Sequence, residues 1–148
     1  FSSPFFGVGY NQYTEHSFLT AHNSYMLALS ENGFLGLFLF LCIIALSVKT
    51  AVVCVLRYRK DSEAKVAVIW SMTMLASLAG ACVGSFFLSF TYHHVLCIYL
   101  GLSAALYVDI RRHDPNFKIS LNIKEHVAVG IACCAFAIGM RVILRAMK

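Results

Sequence analysis

The chain has 148 residues, 59% of them hydrophobic and 13% charged, with a formal net charge of +5 and a mean hydropathy of +0.74. A soluble domain of this length cannot cover so much apolar surface with so few charges, so the composition excludes that class and points to a membrane protein. Nor does the positive balance point to nucleic acid, because all twelve Lys and Arg residues follow Val48 and most of them cluster between apolar runs.

Residues 1–32 read as a loop leading into a helix start. Phe1 is not Met and no basic leader surrounds it, so the chain is expected to be the C-terminal part of a longer protein. Gly7-Val8-Gly9 follows Pro4-Phe5-Phe6, a turn in which the backbone must come close to something. It lacks the third glycine of a dinucleotide fingerprint, which sets nucleotide binding aside. From about Asn23 the pattern turns helical, with Met26, Leu27, Leu29 and Phe34 able to line one apolar side.

A crossing of a hydrocarbon core of about 30 Å takes about 20 apolar residues. The first such run is Gly33 to Leu56, with Lys49 close enough to its later end to snorkel. The second, Val66 to Phe90, carries no charge and clusters Ala76, Ser77, Ala79, Gly80, Ala81 and Gly84 in its middle, where a neighbouring helix could approach closely. The third is Val95 to Ile110, with Asp109 at its end. A fourth apolar run, Val127 to Leu144, carries Arg141 and reads either as a last span or as a helix lying on the membrane surface, its nearly all-round apolarity favouring a span. The expected fold is an all-α, polytopic transmembrane helix-bundle fragment with three to four spans. Residues 1–32 would lie outside the membrane, 33–110 form three spans, and 111–148 form a cytoplasmic link plus the fourth segment. The six cysteines all fall inside apolar runs with no CxxC pair or alternating Cys/His set, so neither a disulfide framework nor a zinc site is expected.

The link from Arg57 to Lys65 holds four basic residues, and that after the third span holds Arg111, Arg112, Lys118 and Lys124. The Thr91-Tyr92-His93-His94 turn between them holds neither Lys nor Arg. By the positive-inside rule the basic links are cytoplasmic, and residues 1–32 and the His93-His94 turn face out.

His22-Asn23-Ser24-Tyr25-Met26 therefore lies on the outer face, followed by Glu31-Asn32-Gly33-Phe34-Leu35-Gly36-Leu37 and a span. This run resembles the signature of the O-antigen ligase and O-antigen polymerase family, in which a His-Asn/Ser-x-Tyr/Phe-Leu run leads to Glu-x-Gly-x-x-Gly at the start of a membrane helix. Gly7-Val8-Gly9 resembles the GVG element that precedes that histidine in the family. The resemblance covers Phe6 to about Leu41 by motif, with Met26 standing where the family prefers Leu; beyond that only the span pattern agrees.

The resemblance implies a bacterial inner-membrane glycosyltransferase that takes a glycan from an undecaprenyl-diphosphate carrier at the periplasmic face. Its acceptor is a hydroxyl of lipid A-core, of the growing glycan, or of a protein. It also implies metal-independent, inverting transfer with His22 activating the acceptor, and Asn23, Tyr25 and Glu31 as substrate-binding candidates. The chemistry agrees, since a neutral imidazole with a pKa near 6.5 can take a hydroxyl proton at ambient pH. The diphosphate leaving group needs cations, best supplied by Arg forks, and residues 1–48 contain none. The clamp is then expected upstream, and this fragment alone is expected to be inactive.

Plainer readings stand beside these roles. His22 can be an interfacial histidine bonded to water or lipid head groups, Asn23 a helix cap, and Tyr25 an interfacial anchor. Glu31 is either solvated or holds the loop, Gly33 and Gly36 read as helix-packing positions, and His16, His93 and His94 as loop and turn residues. A transporter or channel fragment is the competing function, weakly supported because Lys49 and Asp109, the charges within the three clear spans, lie near their cytoplasmic ends. A noncatalytic membrane scaffold is the other. The orientation predicts that alkaline phosphatase fused after His94 is active and after Lys60 inactive; the reverse pattern of activity would invert the topology.

Overall fold

The computed structural model describes residues 4–10, 12, 23–88 and 94–146. Four helices follow one another: α1 (Ser24–Tyr58), α2 (Lys65–Gly84), α3 (His94–His113) and α4 (Ile123–Ala146). Among the described residues there is no strand, and all four helices are long and apolar enough to cross a membrane. The chain is a multi-pass, all-helical membrane protein. The last helix qualifies through Ile123–Val142, so length and apolarity do not separate it from the other three.

At 35 residues α1 would run about 52 Å if straight, far beyond a hydrocarbon core of about 30 Å. It is not straight, because Gly33 leaves helical geometry at φ 68°, ψ −167°. The stretch 34–58 after the break is about 37 Å long, enough for one crossing. On this stretch Leu37, Ile44, Ser47, Ala51 and Cys54 are buried, at steps of seven, three, four and three residues, the seam of a helix packed on others. Leu35, Leu39, Ile43 and Leu46 are exposed on another face, where lipid replaces water as the apolar solvent.

Two units share α1. The first takes residues 4–10, Tyr25–Cys42 and α4. Its core is Tyr25, Ala28, Leu37 and Cys133, with Phe34, Phe38, Phe40 and Phe136 packed around them. The start of α4 is set by a reciprocal cap. The Asn122 side chain accepts from the Glu125 N–H at 2.9 Å, and the Glu125 carboxylate accepts from the Asn122 N–H at 2.6 Å.

The second unit takes Ser24 and Ile43–Ser120. Met74 and Leu78 of α2 pack on Ala51 of α1, with Tyr99 of α3 against them. Buried positions on α3, Leu96, Ser103 and Ile110, recur every seven residues. The small-residue cluster expected to receive a neighbouring helix does not do so at its centre. Ala76, Ala79 and Gly80 are exposed, and a methyl group at Gly80 would meet nothing within 4 Å. The contact face of α2 is instead Ser71, Met74 and Leu78.

The chain after α3 is more than a solvated basic link. Phe117, fully buried, packs with Cys54 and Ile110, its ring 6.1 Å from that of Tyr58 and 6.0 Å from that of Tyr107. Asp114 fixes this segment to the end of α1. It accepts a hydrogen bond from the Tyr58 hydroxyl at 2.5 Å and pairs with Arg57 at 2.7 Å. Farther along, Lys49 donates to the Ser120 carbonyl at 2.8 Å, so its ammonium is held by this segment. The Tyr58 hydroxyl, helped by the Asn116 N–H and the Arg57 guanidinium, holds the Asp114 carboxyl below the usual carboxylate range.

A lowered folded-state pKa stabilises the protein above the ordinary carboxylate value near 4, and that contribution is lost as pH falls through the folded value. Wild-type protein in detergent is therefore expected to lose thermal stability as pH drops below about 4, a loss that Asp114→Asn should reduce. An identical pH profile for the two proteins would contradict the latch.

Candidate functional site

A broken helix leaves carbonyls before the break and N–H groups after it without intrahelical partners, a costly state in a membrane. Here the N-terminal turn supplies partners on both sides of Gly33. The Val8 N–H donates to the Ser30 carbonyl at 2.9 Å, and the Gly9 N–H to the Glu31 carbonyl at 3.0 Å. In return the Phe34 N–H donates to the Pro4 carbonyl at 3.0 Å, and the Leu35 N–H to the Phe5 carbonyl at 3.3 Å. Proline suits the first position, because it has no N–H of its own to satisfy there.

The glycines make this docking possible. Gly33 sits in a region of backbone space that is essentially glycine-only, and Gly7 and Gly9 also have positive φ, at 72° and 101°. The approach is reciprocal. A Cβ on Gly7 would collide with the Glu31 carbonyl and the Gly33 nitrogen, and a Cβ on Gly33 with the Phe5 carbonyl and the Gly7 nitrogen. Gly36 belongs to the same break, since a Cβ there would collide with the Asn32 side chain. Gly33 and Gly36 thus allow close approach within one turn-and-helix unit, where the sequence reading made them contacts between helices.

The candidate residues fall as follows. His22 lies outside the described residues, as do His16 and His93. Asn23 directly precedes the first helical residue, the cap position, and is half-buried. Tyr25 is 7% exposed, its ring edge-on to Phe40 at 6.1 Å and to Phe136 at 6.0 Å, so it is a core aromatic of the first unit. Glu31 is 3% exposed, which removes the solvated alternative, and its backbone carbonyl holds the loop. His94 is exposed at the first position of α3.

Sequence reasoning missed Ser24. In the second unit its N–H donates to the Ser85 carbonyl at 2.8 Å and its hydroxyl to the Leu88 carbonyl at 2.6 Å. These bonds tie the residues immediately after His22 to the chain leaving α2. Both serines are buried, but a serine beside a helix start carries no signal for a partner more than sixty residues away. The turn carbonyls of Pro4 and Phe5 were equally invisible, although the pairing of positive-φ glycines with an interrupted helix was the available clue.

In chemical terms this is a hydrogen-bonded backbone platform within the first unit, with Glu31 as a carboxylate enclosed in protein. Residues 4–10, 12 and 23–48 bring no Lys or Arg to it. The six cysteines form no disulfide, and among the described residues no three His, Cys, Asp or Glu side chains are grouped to hold a metal ion. Comparison with protein-family models, curated proteins and solved structures finds no match to this chain.

Gly33→Ala is expected to cost at least about 2 kcal/mol of unfolding free energy in mixed micelles, from backbone strain and the collision with the turn. Gly80→Ala, in open space on a regular helix, should be neutral or stabilising by up to about 1 kcal/mol. Equal effects at the two positions would show that the break does not hold the turn.

Proposed function

We propose that this chain is part of a bacterial inner-membrane glycosyltransferase of the O-antigen ligase and polymerase kind, serving lipopolysaccharide or related polysaccharide synthesis. The observation that carries the reading is the docking of Gly7-Val8-Gly9 onto the Ser30–Gly33 backbone. The two outer elements of the resemblance are more than twenty residues apart in the chain and form one hydrogen-bonded platform.

In this reading the platform faces the periplasm and His22 is the general base. The neutral imidazole takes the proton from the acceptor hydroxyl as that oxygen forms a bond to the anomeric carbon. The bond from that carbon to the diphosphate oxygen breaks with its electron pair, releasing undecaprenyl diphosphate and inverting the centre. Asn23, at the helix start, orients the histidine. Tyr25, buried in the aromatic core, fixes the first turn of α1 and contributes to substrate binding through that placement. Glu31 keeps the loop in register by its main chain. Residues 1–48 offer no Lys or Arg for the diphosphate, so the charge clamp comes from outside this segment.

The test is His22→Ala in the full-length protein. Glycan transfer from the lipid carrier should vanish while membrane abundance stays at the wild-type level. Wild-type transfer in that variant would remove the catalytic role.

A further inference from the structure

Within the second unit, α2, α3 and the links at the Tyr58 end surround a groove of about 880 Å³. Its walls are apolar and partly aromatic, with Trp70 and Met74 from α2 and Tyr99, Leu102 and Leu106 from α3. Along α2 it extends from Ala64 to Ser77, roughly 20 Å at helical rise. Trp70 is 62% exposed and Leu102 47%, so the groove opens sideways onto the region that lipid occupies.

Apart from the imidazole of His113, which also lines it, the charged side chains at this groove are of one sign. Of the protein's seven carboxylates, Asp61, Glu63, Asp109 and Asp114 line it, and among the described residues none of the twelve Lys and Arg does. This is the reverse of the surrounding links, which hold Arg59, Lys60, Lys65, Arg111 and Arg112. Asp114 is engaged by Arg57 and Tyr58. Asp61 accepts only a local backbone hydrogen bond, from the Glu63 N–H at 3.0 Å. Three carboxylates therefore remain for an occupant, at one end of an apolar channel.

We propose that this groove binds an amphiphilic organic cation that enters from the bilayer. Its apolar body lies along α2 and α3 against Trp70, and its positive head sits at Asp109, Asp61 and Glu63. The volume lies within the range of about 300–1,000 Å³ usual for small-molecule sites. Aromatic faces beside carboxylates favour a weakly hydrated cation, and an anionic head group would be opposed by Asp61, Glu63 and Asp109. The site is independent of the histidine platform and its chemistry.

Trp70 is the chain's single tryptophan, so intrinsic fluorescence reports on this groove alone. The full chain in zwitterionic nanodiscs would be titrated with tetraphenylphosphonium and with tetraphenylborate, ions of the same shape and opposite charge. The expected result is a saturable Trp70 response to the phosphonium only, weakened on the order of tenfold by Asp109→Asn and by Asp61→Asn. Unchanged thermal stability in at least one of the two variants separates lost binding from lost fold. Equal responses to the two ions, or unaltered phosphonium affinity in both variants, would overturn the proposal. So would silence from both ions with Trp70 shielded from a lipid-phase quencher, since the groove would then be the seat of another membrane helix.

Discussion

The interruption of α1 at Gly33 is the constraint around which the first unit is organised. Buried main-chain N–H and C=O groups need partners, so a break in a packed helix must be repaired by other polar groups. The repair is four main-chain bonds to the Pro4–Gly9 turn, two donated and two accepted. Such bonds depend on backbone distance and not on side-chain identity, hence the need for glycine on both sides of the contact. Once the turn is seated, the start of α1 is a fixed platform and not a frayed helix end.

The second unit solves a different problem. Its helices carry wide apolar faces, and lipid tails are as apolar as leucine, so burial of apolar area gives them little reason to associate. Packing shape and polar ties do this work. Ser24 is bound to the chain leaving α2, and Asp114 gathers Arg57 and Tyr58 at the other end of α1. Phe117 fills the space beneath that latch. The buried seam on α1 and the seven-residue repeat on α3 are what remain visible of this packing in the helices themselves.

The four helices were legible because apolar length is a property of contiguous sequence. The helix start near Asn23 was legible as well, and the structure begins α1 at Ser24. Other expectations failed for a common reason. Small residues on α2 indicate that a close approach is permitted there, not that one occurs, and Gly80 faces open space. Phe117 does lie in the link after α3, but composition gives no sign of its burial, which depends on Tyr58 and Tyr107. Tyr25 looks interfacial by its position before a span, yet Phe40 and Phe136 enclose it.

By itself, then, the sequence determined the membrane class, the four apolar segments and the charge asymmetry between the links. All three are sums over neighbouring residues and need no partner to be defined. Tertiary structure alone decided that the Gly7–Gly9 turn repairs the Gly33 break, that Asp114 locks onto Arg57 and Tyr58, and that Asp61, Glu63, Asp109 and Asp114 gather at one groove. Each of these joins groups far apart in the chain, and the requirement that backbone and charge find partners acts through space, where sequence periodicity does not reach.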